Sequence, residues 1–415
     1  MADSVPKIEG HATFYAHLKS GHIDKARIIG LDGDRFVEKI LFGRKYFEAP
    51  IITSRICGIC PVIHNITSAK AVESALKIEV TSQTKTLRKL MLCGQMIQSH
   101  SLHLYLLVLP DFVGMSSSFE LQKNHPKLFN NAVILKKYAD SIIETIGGRA
   151  VHPVSNVVGG FKKFPSIDNL KKLKDQFEQV KDIALDTIKL FLSFEYPDIK
   201  RDIIYSALSN QKDYAFYDGN ISSTTGKNFK PSNYKKYIYE EIVPYNRAKF
   251  ATLRGQEIMV GAMARINING KYIAQEFKNL NLDLNLTSNF DNPFNNIIAQ
   301  ALENYYFIIL SHTIINKLID GGIKEEKIIE PKTFSEGVGA CEAPRGTLFH
   351  YYKIAKDGTI EKCDIITPTV QNLPALELDM KKMGPVLESK KPAEREALIE
   401  MLIRAYDPCI TCATH

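Results

Sequence analysis

The stretch Arg55-Ile-Cys-Gly-Ile-Cys-Pro-Val-Ile-His64 organises this sequence, because it holds two cysteines, Cys57 and Cys60, with only two residues between them. The last residues of the chain hold a second such pair, Cys409 and Cys412, and a histidine ends the sequence. Thiolates are soft metal ligands, and a spacing of two residues lets both sulfurs of a pair face one ion. We therefore expect the fold to bring the two ends of the chain together around one metal centre.

The spacing of the two pairs leaves the kind of metal site open. A structural zinc site with four thiolates is one interpretation. However, zinc ribbons usually separate their pairs by about 15–20 residues, and here Cys60 and Cys409 lie 349 positions apart. A thioredoxin-like redox pair is another interpretation, but neither pair sits at a strand-to-helix junction within a clear βαβ pattern. On spacing alone, a catalytic metal site and a structural zinc site remain the main alternatives.

The three other cysteines, Cys93, Cys341 and Cys363, are single and scattered along the chain. An iron–sulfur cluster is usually held by four thiolates, so we expect these residues to be small buried side chains instead. Cysteine pairs of the C-x-x-C kind fit metal binding in a reducing compartment better than a disulfide framework. If the metal centre is a redox site, its electrons must leave through another protein.

Composition excludes several classes of function. The 415 residues are 45% hydrophobic and 24% charged, which is typical of a soluble globular protein. The formal charge of +7 is small for this length, and the lysines do not alternate with aromatic residues, so we expect no nucleic-acid binding. No apolar run approaches the roughly 18 residues that a membrane span requires, and no secretory signal is visible at the N-terminus.

Hydrophobic periodicity predicts a mainly α chain with small β-ribbons (α+β). We expect a β-ribbon over residues 25–52, helices over 67–76, 83–109 and 131–147, a long helix after the N-cap Ser166, irregular structure over 197–235, a central buried helix over 291–321, a hairpin around Asp357-Gly358, and a last helix over 394–405. No internal repeat or low-complexity linker divides the chain, so we expect a single domain over residues 1–415.

These motifs together resemble the large subunit of the [NiFe]-hydrogenases. The family's two cysteine motifs are R-x-C-G-x-C-x-x-x-H near the start and D-P-C-x-x-C-x-x-H at the end, as here. Glu9-Gly10-His11 resembles the family's E-G-H segment, and Arg35-Phe36-Val37-Glu38 resembles its R-G-F-E segment. Glu342-Ala-Pro-Arg-Gly346 and Thr367-Pro-Thr-Val-Gln-Asn372 resemble the segments around the family's iron. The resemblance covers the chain from residue 8 to residue 415 and implies the family's fold, a buried helical core around the metal centre.

The resemblance also implies the metal ligands and the reaction. Carried over position by position, Cys57 and Cys409 are terminal nickel ligands, while Cys60 and Cys412 bridge nickel to an iron that carries one carbon monoxide and two cyanides. The implied activity is reversible heterolytic cleavage of dihydrogen, in which a terminal thiolate, Cys409, takes the proton. Glu9, which without the family would be read as a solvated carboxylate, is similar to the family's first proton relay.

Further site residues follow from the same resemblance. Four thiolates, two cyanides and two divalent metals leave a buried net charge of about −2, which needs compensation. Arg345, next to Pro344, resembles the residue that faces the cyanides across the open coordination position. Thr369 matches the residue that holds the other cyanide. His64 resembles a histidine beside a bridging sulfur, and Asp407 resembles a carboxylate that orients Arg345.

A second cation site and partner proteins are implied as well. The family has a hard-cation site, usually magnesium, and Glu38, His415 and the backbone carbonyl near Ile365 match its protein ligands. We expect a small subunit that holds iron–sulfur clusters, and flavin or iron–sulfur subunits that pass electrons to a soluble carrier. NAD(P) is the first choice of carrier; a deazaflavin coenzyme, ferredoxin and heterodisulfide reductase remain alternatives.

The segment Arg404-Ala-Tyr-Asp-Pro408 is among those that resemble the soluble, cytoplasmic, bidirectional branch of the family, so we expect a cytoplasmic enzyme. Two alternatives are of another class. One is a metal-free subunit near the quinone site of a complex I-like assembly, which retention of all four cysteines argues against. The other is a scaffold held together by zinc, which metal analysis would identify.

Overall fold

The computed structural model describes residues 4–33, 36–280, 282 and 291–415. Helices dominate these residues. The helices are α1 Val37–Leu41, α2 Ala49–Thr53, α3 Pro61–Leu76, α4 Ser82–Leu102, α5 Leu109–Phe112, α6 Ser118–Asn124, α7 Pro126–Gly147, α8 Ile167–Asp175, α9 Phe177–Leu192, α10 Ala262–Asn269, α11 Ala274–Lys278, α12 Asn295–Gly321, α13 Pro368–Lys382, α14 Gly384–Glu388, α15 Pro392–Ala405 and α16 Ile410–Ala413. A π-helical segment, His103–Val108, joins α4 to α5.

The strands form small separate sheets. The strands are β1 Ala12–Lys19, β2 His22–Gly30, β3 Asn156–Val157, β4 Gly160–Phe161, β5 Ile204–Ser209, β6 Asn220–Ser223, β7 Asn228–Phe229, β8 Ile238–Glu241, β9 Phe250–Leu253, β10 Ile258–Met259, β11 Glu336–Ala343, β12 Gly346–Ile354 and β13 Ile360–Ile366. β11, β12 and β13 form an antiparallel meander, β10-β5-β6-β7 form a second sheet, and β1-β2, β3-β4 and β8-β9 are ribbons. The prediction of a mainly α chain with small β-ribbons is confirmed.

The core lies where α4 packs against α7 and α12, and where α3 packs against β11 and β12. The α3–β11 contact depends on a glycine. A Cβ on Gly339 would lie 2.5 Å from the backbone oxygen of Thr67, so only glycine lets the strand approach the helix so closely. This contact holds the middle of α3, whose N-cap residue is Cys60, against the sheet whose β11–β12 turn contains Arg345.

Several predicted elements are observed. Helix α12 ends at Gly321, and Gly322 follows with a φ of 70°, as the Gly-Gly stop signal predicts. The hydroxyl of Ser166 accepts a hydrogen bond from the N–H of Asn169 and caps α8. However, the long helix expected after Ser166 is two helices that meet at Gln176. The hairpin around Gly358 is present, and β11 adds a third strand to it.

Two predictions of local structure are wrong. The N-terminal ribbon spans residues 12–30 rather than 25–52, because Ser20 and Gly21 adopt positive φ values and make the turn there. Residues 37–53 instead form α1 and α2, with Val37 and Leu41 buried one helical turn apart. Residues 197–235, expected to be irregular, contain three strands, because apolar residues such as Leu208 are buried between the polar ones.

Candidate metal centre

The four cysteines of the two C-x-x-C pairs meet in the interior. Their sulfur atoms all lie within 4.8 Å of one another, and all four residues are buried. The sulfurs of Cys57 and Cys409 are 3.5 Å apart, and those of Cys60 and Cys412 are 3.0 Å apart. Cys60 occupies the N-cap position of α3 and Cys409 that of α16, so helix N-termini, which favour negative charge, lie at the site.

The protonation of these thiols indicates a site built for cations. The hydrogen bond with Cys409 holds the pKa of the Cys57 thiol well below its usual value, while burial raises the pKa of Cys409 and Cys412 well above theirs. Four thiolates this close repel one another in a low-dielectric interior, so all four can ionise only with metal ions between them. Thiolates are soft ligands, so the donor set is compatible with a nickel–iron centre and also with zinc.

Arg345 lies beside the cysteines at the turn between β11 and β12, where its side chain is held by Asp407. Its Nε and Nη2 atoms donate to the Asp407 carboxylate at 3.0 and 2.8 Å, and Nε also donates to the Asp407 carbonyl at 2.8 Å. Gln300 donates to the other carboxylate oxygen at 3.0 Å. The remaining guanidinium nitrogen, Nη1, is buried and has no hydrogen-bond partner among the described residues. A buried donor without a partner is costly, and an anionic diatomic ligand at the centre would satisfy it.

Arg345 also lines a small cavity. Its lining residues are Cys60, Ile63, His64, Ala343, Pro344, Arg345, Leu348, Pro368, Thr369, Cys409 and Cys412. Three of the four cysteines line it, including both members of the pair assigned to the bridging positions, and most of the other side chains are apolar. The hydroxyl of Thr369 accepts a hydrogen bond from the backbone N–H of Cys409 at 3.0 Å. The cavity leaves room for small ligands on a metal ion held by these cysteines.

Glu9 lies just before β1, and its carboxylate lies near the Cys57 sulfur. Its Oε1 atom is 3.8 Å from the sulfur of Cys57, and its carboxylate accepts hydrogen bonds from the hydroxyl and the N–H of Thr411. The sulfur of Cys409 is 3.9 Å from the same hydroxyl. Burial, and then the Cys57 thiol, raise the pKa of the Glu9 carboxyl. Glu9 is thus not a solvated side chain but a half-buried carboxyl beside the sulfurs.

His64 extends the polar contacts from Cys412 into the interior. Its Nε2 atom is 3.7 Å from the Cys412 sulfur, and its Nδ1 atom is 3.2 Å from Nε2 of His350. His350 in turn contacts the hydroxyl of Tyr352 at 3.0 Å. Burial lowers the pKa of His350 well below its usual value, so this imidazole is neutral and can orient His64.

The residues expected to bind a hard cation lie near one another at the C-terminus. Nε2 of His415 is 3.9 Å from Oε1 of Glu38, a separation that two ligands of one cation can have. The N–H of Ile365 donates to the same Glu38 oxygen at 2.7 Å, so the contact seen uses the N–H of Ile365 and not its carbonyl. The Lys249 ammonium is 4.0 Å from the other oxygen of Glu38. Arg35, named with Glu38 in the R-G-F-E resemblance, lies outside the described residues.

Sequence reasoning missed Arg265, which positions the segment before Arg345. Arg265 is fully buried and donates to Glu303, to Glu342 and to the carbonyls of Ala343 and Pro344. The contact with Arg265 is the main attraction that holds the pKa of Glu303 at about 2 against the effect of burial. The available signal was a charged residue within a largely apolar helix, Glu303 in α12 and Arg265 in α10. Because a buried charge needs a partner, each of these residues indicates that an oppositely charged residue lies nearby.

Two of the three single cysteines, Cys93 and Cys341, are buried as expected, and Cys363 is half-buried. None of the seven cysteines forms a disulfide bond. Within the described residues, the structure has no helix long and apolar enough to cross a membrane.

Comparison with known proteins identifies the family. The profile of the nickel-dependent hydrogenases matches residues 35–132 and 200–415 of this chain. The chain is 34% identical to the alpha subunit of sulfhydrogenase 1 of Pyrococcus furiosus, over 100% of this chain and 97% of that one. It is 30% identical to the alpha subunit of sulfhydrogenase 2 of the same organism, over 100% and 98%. It is 27% identical to the beta subunit of the NAD-reducing hydrogenase HoxS of Cupriavidus necator, over 100% and 94%.

A solved structure has the same fold. The NAD+-reducing [NiFe]-hydrogenase in its H2-reduced state superposes with a TM-score of 0.88 at 24% identity, covering 100% of this chain and 98% of that one. At this identity the superposition establishes the fold alone.

Proposed function

The chain belongs to the nickel-dependent hydrogenase family, and on that premise we propose how its residues serve the catalytic large subunit of a [NiFe]-hydrogenase. One observation carries the proposal: four buried thiols have sulfur atoms within 4.8 Å of one another, and three of them line one small cavity with Arg345, whose Nη1 has no hydrogen-bond partner among the described residues. Cys57 and Cys409 would be terminal nickel ligands, and Cys60 and Cys412 would bridge nickel to iron. When bound, such a centre supplies a Lewis-acidic position at which dihydrogen is split heterolytically.

The side chains around the centre would hold its small ligands and offset its negative charge. The open nitrogen of Arg345, fixed by Asp407, would hydrogen-bond a cyanide on iron, with Pro344 beside it and Thr369 near the second cyanide. Because Arg345 is positively charged and held by a carboxylate on its other side, it offsets negative charge without moving. His64, held by His350, would stabilise negative charge on the Cys412 sulfur.

Proton transfer is proposed to begin at Cys409 and to continue to Glu9. The Cys409 sulfur and the Glu9 carboxylate both lie near the hydroxyl of Thr411, so this hydroxyl could pass the proton from one to the other. Burial, which raises the pKa of Glu9, suits a group that must both take and release a proton.

Infrared spectroscopy of the purified complex tests this proposal. Metal-bound carbon monoxide and cyanide absorb where protein does not, so we expect one carbonyl band and two cyanide bands. Metal analysis of the large subunit separated from its iron–sulfur partners should find nickel and iron at about one each per chain. Zinc as the only metal, or no metal, would contradict the assignment.

We further propose a magnesium ion held by Glu38, His415 and a backbone carbonyl near Ile365. We also propose a cytoplasmic enzyme with an iron–sulfur small subunit, and with flavin or iron–sulfur subunits that pass electrons to NAD(P). The similarity to an NAD-reducing hydrogenase supports this choice of carrier. The rate of H2-dependent reduction of NAD+, NADP+, ferredoxin and a deazaflavin coenzyme would identify it.

A further inference from the structure

A chain of four buried polar side chains leads away from the Cys412 sulfur into the contact between α3 and β12. His64 and Ser68 lie on α3, and His350 and Tyr352 lie on β12. All four residues are at most 1% exposed. Because buried polar groups are normally hydrogen-bonded, the contacts among these side chains determine which of their atoms donate and which accept.

Two sequence spacings bring the four side chains together. Residues 64 and 68 are about one helical turn apart on α3, and residues 350 and 352 point to the same face of β12. Nδ1 of His64 is 3.2 Å from Nε2 of His350. The Tyr352 hydroxyl is 3.0 Å from Nδ1 of His350 and 2.9 Å from Oγ of Ser68. The helix and the strand thus each contribute two members to one hydrogen-bonded chain.

The direction of the hydrogen bonds follows from the sulfur at one end. A metal-bound thiolate has no proton and can only accept, so Nε2 of His64, which lies 3.7 Å from the Cys412 sulfur, must be the donor. A neutral imidazole has one donor nitrogen and one acceptor nitrogen. With both rings neutral, Nδ1 of His64 accepts from Nε2 of His350. Nδ1 of His350 then needs a donor of its own, and the Tyr352 hydroxyl is in place to be that donor.

The surroundings of Tyr352 allow its proton to go to His350. The Ser68 hydroxyl can donate to the tyrosine oxygen. Cys363, which lies opposite Tyr352 in the pairing of β12 with β13, also contacts the tyrosine hydroxyl and can donate to it. The tyrosine oxygen therefore has acceptor partners to serve on one side and an imidazole nitrogen that requires a donor on the other. Because hydrogen bonds in a chain polarise and strengthen one another, donation by Tyr352 strengthens the bond that His64 makes to the sulfur.

We propose that Tyr352 is a positioning residue for the metal centre, which acts through His350 to fix the tautomer in which the Nε2–H of His64 points at the Cys412 sulfur. This inference rests on the proposed function, since only a metal-bound thiolate must accept that bond. Without the tyrosine donor, Nδ1 of His350 is a buried acceptor with no proton supplied to it, which is costly. The His350 ring can then carry its proton on Nδ1, and the His64 nitrogen that faces the sulfur loses its proton.

Infrared spectroscopy of the metal-loaded complex measures the effect. Tyr352→Phe should weaken the hydrogen bond to the Cys412 sulfur, which leaves more electron density on the iron, so the carbonyl band should move to lower wavenumber. Tyr138→Phe is the matched control, because Tyr138 is also buried and its hydroxyl contacts Oγ of Ser311 at 3.2 Å; its carbonyl band should stay at the wild-type position. Ser68→Ala should move the band in the same direction as Tyr352→Phe, but by less. A purely structural role for Tyr352 would lower stability without moving the band.

Neutron diffraction from the deuterated wild-type complex is a second measurement that requires no variant, because it locates the hydrogen positions that X-ray diffraction does not show. Deuterium should lie on Nε2 of His64 and on Nε2 of His350, and the deuterium of the Tyr352 hydroxyl should point at Nδ1 of His350. Deuterium on Nδ1 of His64 would overturn the inference, as would a Tyr352→Phe carbonyl band at or above the wild-type wavenumber. Failure of the proposed function would appear separately, as a wild-type protein that lacks nickel and iron.

Discussion

Replacing Arg265 with Met tests how firmly the Arg345 segment is held. Arg265 is fully buried and donates five hydrogen bonds, three to Glu303 and Glu342 and two to the carbonyls of Ala343 and Pro344. Methionine has a similar length but no charge and no donors. The change leaves the buried carboxylates of Glu303 and Glu342 without the Arg265 cation. Such a loss typically lowers the free energy of unfolding by about 3–5 kcal/mol.

The pH dependence of this cost has a definite sign. In the wild type the pKa of Glu303 is about 2, below its usual 4.5, so its stabilising effect is present above pH 4.5 and is lost as pH falls towards 2. Without Arg265, burial raises the pKa of Glu303. As pH falls, the Glu303 carboxyl of the variant is protonated, and the destabilising unpaired charge is removed. The difference in unfolding free energy between the two proteins should therefore be largest near neutral pH and smaller in mild acid.

Urea unfolding of the large subunit, carried out at about pH 7 and about pH 5, measures both quantities. Arg44→Met is the matched control, because Arg44 and Glu48 form an exposed pair 3.8 Å apart, and such pairs contribute about 0–1 kcal/mol. A double variant, Arg265→Met/Glu303→Leu, should recover part of the loss. A cost below about 1 kcal/mol at neutral pH, within the range of an exposed pair, or a cost that grows on acidification, would refute the reasoning.

Three further predictions concern the centre and its surroundings. Glu9→Gln should leave nickel and iron bound but slow hydrogen–deuterium exchange between D2 and water at least about tenfold, since an amide cannot carry the proton; unchanged exchange would remove its relay role. Cys412→Ala should prevent loading of both metals, measured by elemental analysis, whereas Cys363→Ala should load normally; a metal-replete Cys412→Ala would contradict the bridging assignment. Glu38→Gln should lower the magnesium content of the purified chain, and an equal content would exclude Glu38 as a ligand.

The helical part of the fold was predictable because its signals are local. Helix α12 is bracketed by Pro293 and by the glycines at 321 and 322, and its apolar composition matches its burial. The strands of residues 204–229 were not predictable in the same way. Their apolar residues are few and separated by polar turns. They are buried by pairing among the three strands and by packing of β5 against β10 and α10, which come later along the chain. The single domain over residues 1–415 stays a prediction.

The site divides along a similar line. The cysteines could be predicted because each pair carries its own spacing and two such pairs suggest one shared metal centre. The resemblance to a family then assigned each cysteine its role. The Arg265–Glu303–Glu342 cluster could not, because its members are unremarkable singly and acquire meaning only when α10, α12 and β11 are packed together. A lone charge in an apolar helix indicates that a partner exists, but not which residue it is.

The N-terminal and C-terminal segments are built against each other at backbone distance. Glu9 forms a parallel bridge with Cys409, and the N–H of Ile410 donates to the Glu9 carbonyl at 3.0 Å. Gly10 adopts a φ of +79°, and a Cβ there would lie 2.9 Å from that of Ile410, so only glycine fits both the conformation and the contact. The contact of Glu9 with residues 409–411 therefore positions the Glu9 carboxyl and the second pair of thiols together. Because the four thiols cannot all ionise without cations, we expect metal binding and this contact between the two segments to stabilise each other.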